Sequence, residues 1–199
     1  MDQVLKNDQT RRQFLKSAVL SSVGLASGTI RSFGVTELRL TGTFANGLKA
    51  SRMIRLGKDE LYLQTETTLE NGSASALEVV LQSRCVVGLR NMERSYLSIR
   101  RQDRSIVEQR LIEPGQEPRG AKVYDGSELP DGQWMVSGIG NGLILVNRFL
   151  KEQVSRCFAR WTGKSENSLT LGIWSAKRTL APGETLKLAA DCGISARIY

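Results

Sequence analysis

Five carboxylates crowd one stretch of this chain: Glu113, Glu117, Asp125, Glu128 and Asp131. Two carboxyl groups held about 5–10 Å apart across a cleft can cleave a glycosidic bond, one as acid and the other as base or nucleophile. Among them stand Arg119, Lys122 and Tyr124, residue types with which a lyase could neutralise a uronate and take its proton. The stretch 113–133 is also rich in Gly, Pro, Asp and Glu, so a wet surface loop explains its acidity without any chemistry. Aromatic faces suited to stacking on sugar C–H groups come from Trp134, Trp161 and Trp174. Alternation turns Trp174 away from Leu169, Leu171 and Ile173, and Trp134 borders the loop, whereas Trp161 shares a face with Cys157 and Ala159 and belongs in a core. The candidate ligand contacts are therefore Trp134, Trp174, Arg119 and Tyr124, and no residue is singled out as catalytic.

Other chemistry is excluded more firmly. The 199 residues contain no histidine, which removes Ser-His-Asp and Cys-His nucleophile activation, His-ligated zinc, two-His iron and proximal-His haem. Cys85, Cys157 and Cys192 show no CxxC spacing, so neither a metal site nor a cofactor is expected. In an oxidising compartment two of them can pair, and the spacing does not say which. Gly138-Ile139-Gly140-Asn141-Gly142 has the letters of a phosphate-cradling loop, but Leu143–Phe149 after it reads as strand where such a loop should open a helix. A hairpin turn is the expectation there.

At the N-terminus, Thr10-Arg11-Arg12-Gln13-Phe14-Leu15-Lys16 precedes a moderately apolar run, Ser17–Gly28. The arrangement resembles a twin-arginine export signal, with Arg11, Arg12, Phe14, Leu15 and Lys16 at the expected offsets. The apolar run is too short for a bilayer about 30 Å thick, and small residues at Ala26-Ser27-Gly28 offer a cleavage point. An amphipathic helix of the mature protein is the alternative. The signal implies residues 1–30 as an address and 31–199 as the body. It also implies the twin-arginine translocase as a transient partner, no lasting membrane span, and a periplasmic or secreted destination. Cleavage after Gly28 would leave 24 basic and 18 acidic residues, a balance of +6 that permits attraction to acidic polysaccharide. Nucleic acid is not expected as a partner outside the cytosol.

From residue 35 onward the hydrophobic period is two. Leu61, Leu63, Thr65, Thr67 and Leu69 alternate with Tyr62, Gln64, Glu66 and Thr68, and Leu77–Val87 repeats the pattern beyond the turn residues Asn71–Ser75. These two segments are expected to pair as a hairpin. Further strands are expected at 37–44, 48–56, 95–101, 105–112, 133–137, 143–149, 154–161, 168–175, 184–190 and 194–198. Asn-Gly, Pro-Gly and Gly-Lys punctuation separates them. A dozen short strands with no long amphipathic helix predicts an all-β antiparallel sandwich.

Three runs of the body, Asn46–Leu56, Leu61–Ser73 and Leu77–Arg84, resemble the middle strands of a galactose-mutarotase-like supersandwich domain. Gly142–Asn147, Trp161, Leu171–Trp174 and Leu180-Ala181-Pro182-Gly183-Glu184-Thr185-Leu186 are similar to its closing strands. That resemblance implies an association with carbohydrate, as in aldose epimerases and in parts of glycoside hydrolases and polysaccharide lyases. It does not carry the epimerase reaction, because the family's histidines are missing. The body is also shorter than the family's complete domain. The sequence therefore leads to an exported sandwich protein that binds a polysaccharide or oligosaccharide without catalysis. The rivals are a polysaccharide hydrolase or lyase of the same fold, and a protein-interaction module.

Overall fold

The computed structural model describes residues 27–32, 36–56, 62–112, 119–137, 143–163 and 167–196. Within them run the strands β1 (Ser27–Ser32), β2 (Thr36–Thr43), β3 (Leu48–Leu56), β4 (Tyr62–Asn71), β5 (Leu77–Val79), β6 (Gln82–Gly88), β7 (Tyr96–Arg100) and β8 (Ile106–Arg110). They are followed by β9 (Arg119–Asp125), β10 (Gln133–Val136), β11 (Leu143–Phe149), β12 (Arg156–Thr162), β13 (Ser168–Trp174), β14 (Arg178–Leu180) and β15 (Thr185–Ala196). Nine strands form one sheet in the order β1-β2-β3-β4-β15-β11-β10-β7-β8, four form a second in the order β6-β13-β12-β9, and β14 pairs with β5. All pairings are antiparallel. The fold is the expected all-β sandwich.

Alternation fixes which side of each strand is buried. Across the large sheet one inner row runs in register through Leu56, Leu63, Cys192, Asn147, Trp134, Ile99 and Val107. Facing it, the small sheet offers Leu169, Leu171 and Ile173 of β13 with Cys157 and Ala159 of β12, all essentially fully buried. Both inner faces contribute to one continuous core, and each buried leucine is worth about 1.5–3 kcal/mol. Leu38, Leu40, Ile54, Leu56 and Leu63 form a separate cluster on the inner face of β2, β3 and β4. No described helix is long and apolar enough to cross a membrane.

The hairpin expected between the segments around Leu63 and Val79 does not form. Both edges of β4 are taken, by β3 on one side and β15 on the other. The chain leaves the large sheet instead, through a crossover held by Asn71. This residue is completely buried; its amide donates to the carbonyls of Ser75 and Leu180, each at 2.8 Å, while its Oδ1 accepts from the backbone and hydroxyl of Ser73. The apolar face of 77–87 does reach the core, but as β5 and then β6 on the opposite layer. Two further differences follow the pairing. The expected loop 113–133 contains β9, and the segments expected at 184–190 and 194–198 are bridged by one strand, β15, unbroken between β4 and β11. Among the described residues strand pairing is seen from Ser27, inside the segment read as an address, while Arg11, Arg12, Phe14, Leu15 and Lys16 lie outside the described residues.

Candidate functional site

Residues that point inward on β13 and β12 bury the small sheet's inner face, so their neighbours at odd spacing must point out. On β13 these are Thr170, Gly172 and Trp174; on β12 they are Arg156, Phe158 and Arg160. Register aligns them into rows. Gln82, Trp174, Arg156 and Asp125 make the first; Arg84, Gly172, Phe158 and Val123 the second; Val86, Thr170, Arg160 and Ala121 the third. Phe158 and Trp174 are diagonal neighbours, with ring centroids 5.7 Å apart and planes tilted by 53°. Glycine at 172 is what lets the Phe158 ring lie across β13, because a Cβ there would overlap that ring.

Cations frame this aromatic pair. The Arg84 guanidinium lies 6.0 Å from the Phe158 centroid and donates to Gln82 Oε1 at 2.7 Å. Arg156 lies 5.3 Å from the Trp174 ring, with its Nε 3.5 Å from Asp125 Oδ2. At exposed sites such cation–π contacts are worth about 0.5–1 kcal/mol each, enough to bias side-chain position. Arg160 and Arg119 extend the positive character along the face, and Val86 and Val123 leave 59% and 47% of their surface exposed beside the rings. Asp125 is the only carboxylate in the three rows. Ser155 and Ser175, adjacent in sequence to Arg156 and Trp174, lead into a cleft of ≈ 530 Å³ lined also by Glu152, Gln153, Arg178 and Lys187. That volume is in the range of a small-ligand pocket, and its lining mixes hydrogen-bonding side chains with Val154, Ala176 and Leu186.

Two of the sequence's candidates are corrected. Trp134 is 0% exposed, its ring edge-to-face with Tyr124 at 6.1 Å and with Phe149 at 6.5 Å. It lies between Asn147 and Ile99 near the centre of the large sheet's inner face, so it has no free face for a sugar. Tyr124 is 2% exposed, the one deeply buried side chain of β9, and its hydroxyl donates to Gln109 Oε1 at 3.0 Å. Burial, reinforced by the Glu128 charge, holds its phenol proton far above the ordinary range, which unsuits it as a base. Trp174 does stand on the outer face, and Arg119 is exposed at the far end of the same face, opposite Thr162.

The described carboxylates Asp125 and Asp131 of the acidic stretch are held by different cations. Asp125 faces Arg156, whereas Asp131 is bound by Lys151 at 3.2 Å and approached by Arg100 at 3.9 Å. Glu113 and Glu117 lie outside the described residues, as do Gly138–Gly142. Among the described residues no group of three or more potential ligands could hold a metal ion. Phe158, Arg84, Arg156 and Arg160 were not anticipated as site residues. The alternation that sends Cys157 and Ala159 inward already sends Arg156, Phe158 and Arg160 outward, but only the register shows that they meet Trp174 and Arg84.

No family model matches the chain, and no curated protein matches it. Solved structures do. A galactose mutarotase-like protein from Clostridium acetobutylicum superposes with a TM-score of 0.60 at 9% identity, over 87% of this chain and 66% of its own. A galactose mutarotase related enzyme from Lactobacillus acidophilus gives 0.58 at 10%, over 86% and 72%. The Slr1438 protein from Synechocystis gives 0.64 at 12%, over 87% and 66%. The chain thus spans about two-thirds of the length of these proteins. At such identities the likeness establishes the fold, that of the galactose-mutarotase-like sandwiches, and not the activity.

Proposed function

We propose that this protein is an exported carbohydrate-binding module that recognises an acidic oligosaccharide, without catalysis, on the outer face of the four-stranded sheet. The observation that carries the reading is the Phe158–Trp174 pair framed by Arg84 and Arg156. Aromatic rings offer a sugar its stacking surface, and guanidinium groups pair bidentately with carboxylate or sulfate. The adjoining cleft would take a further sugar unit through Ser155 and Arg178. Hydrolysis needs two carboxylates held across one cleft; the three rows supply Asp125 alone, already engaged by Arg156, and the adjoining cleft supplies Glu152 alone. Export rests on the motif Arg11-Arg12-Gln13-Phe14-Leu15-Lys16, and association with sugars agrees with the fold's mutarotase-like relatives.

A panel of uronate-containing, sulfated and neutral oligosaccharides, titrated against the mature protein, tests the proposal. Acidic ligands should bind, and Trp174→Ala and Arg84→Ala should each weaken them about tenfold, the loss of one stacking or charge contact. Binding of neutral glycans with equal strength, or binding indifferent to both substitutions, would overturn it. Release of shortened products would favour an enzyme of the same fold.

A further inference from the structure

The inner faces of the two sheets bring Cys85 of β6 against Cys192 of β15. The two are 107 residues apart in the chain, and their sulfurs are 2.8 Å apart. Cys85 pairs in register with Leu171 in the small sheet, Cys192 with Leu63 and Asn147 in the large one, so the contact bridges the layers. The sulfurs are already closer than ordinary contact, and a bond of about 2.05 Å needs less than 1 Å of further approach. β6 is an edge strand and Cys85 is the less buried of the two residues, so of the two sulfurs it lies nearer the surface. Arg52, on the inner face of β3, acts electrostatically on Cys85, and its buried Nε has no hydrogen-bond partner among the described residues. A neighbouring guanidinium stabilises a thiolate. Cys157 stands apart, fully buried between Ile173 and Tyr124 in register.

We infer that Cys85 and Cys192 are the site of an inter-sheet disulfide, formed when the folded protein meets an exchanging small-molecule disulfide, with Cys85 as the entry thiol. The contact with Cys192 and the charge of Arg52 lower Cys85 below the usual thiol range, and its place on the edge strand β6 beside Arg52 makes it the sulfur that reacts first. Cys85 gives its proton to solvent and attacks one sulfur of, for example, oxidised glutathione. The reagent's S–S bond breaks and one glutathione leaves as thiolate. Cys192 then releases its proton and attacks the Cys85 sulfur, expelling the second glutathione. The protein loses two electrons and two protons to become a disulfide, and the reagent becomes two thiols. The inference is independent of the sugar site, which lies on the other face of the small sheet.

The test incubates the purified full chain with oxidised glutathione, blocks remaining thiols with iodoacetamide and maps peptides without reduction. A Cys85–Cys192 cross-link within one molecule is expected, with Cys157 alkylated only after denaturation. Tm should rise by about 10 °C over the dithiothreitol-treated protein, as for a bond closing a loop of about a hundred residues. Cys157→Ser should leave the cross-link intact, and Cys192→Ser should stop at a glutathione adduct on Cys85. Arg52→Gln should slow adduct formation several-fold. A cross-link through Cys157, a link between molecules, or alkylation of both Cys85 and Cys192 after oxidation would overturn the assignment. Should a serine variant fail to fold, the unsubstituted chain's peptide map decides by itself.

Discussion

Two tryptophans that the sequence offers alike as sugar contacts have opposite fates, and substitution separates them. Trp134 is enclosed by Tyr124 and Phe149, so Trp134→Ala should cost about 3–5 kcal/mol of stability, as large core truncations do. Trp174→Ala should shift the urea midpoint much less while weakening the ligand. Equal destabilisation by both would place Trp174 in the core after all. Cys157 makes a second case. Burial pushes its thiol up to about 12, from an ordinary value near 9. As pH rises past 9 the unfolded chain gives up this proton first and the folded chain keeps it. The contribution is therefore whole below about pH 9 and is lost as pH climbs to 12. Urea midpoints between pH 8 and 11 should fall more steeply for the unsubstituted protein than for Cys157→Ala.

At the scale of elements, the outer face of the small sheet depends on one missing side chain. Gly172→Ala would drive a methyl group into the Phe158 ring, which must then swing off β13. The sandwich should survive with a loss of about 1–3 kcal/mol, the usual cost of overpacking, and the Phe158–Trp174 surface should be lost. Ligand titration and a urea melt on the same variant check both halves. This scale also shows what the sequence could convey. Period-two patterning revealed nearly every strand of the large sheet, because each has one apolar and one polar side. It concealed β9, an edge strand on which Tyr124 alone is deeply buried, and β14, only three residues long. Pairing was illegible where β4 had two suitors nearer in space than β5. Trp174's outward direction could be read from its neighbours, whereas its meeting with Phe158 and Arg84 required the register.

Taken whole, the chain carries a formal charge of +8, and the exposed Arg84, Arg156, Arg160 and Arg119 concentrate part of it on one face. Charges in water are screened over about 10 Å at 0.1 M salt and about 3 Å at 1 M. Raising salt from about 0.05 to 0.5 M should therefore weaken an acidic ligand roughly tenfold, with the stacking contribution left over. Isothermal titration at several salt concentrations measures this, and affinity flat across the range would remove the arginines from recognition.

β15 lies between β4 and β11, where it closes the two halves of the nine-stranded sheet into one. Among the described strands it is translated last, after the eight others of its sheet. Until then, a growing polypeptide presents two unfinished sheet margins, each with unpaired amides able to recruit a neighbour. Ribosome-bound intermediates ending before Thr185 should consequently clump or engage chaperones, and the large sheet should close only once β15 has left the ribosome.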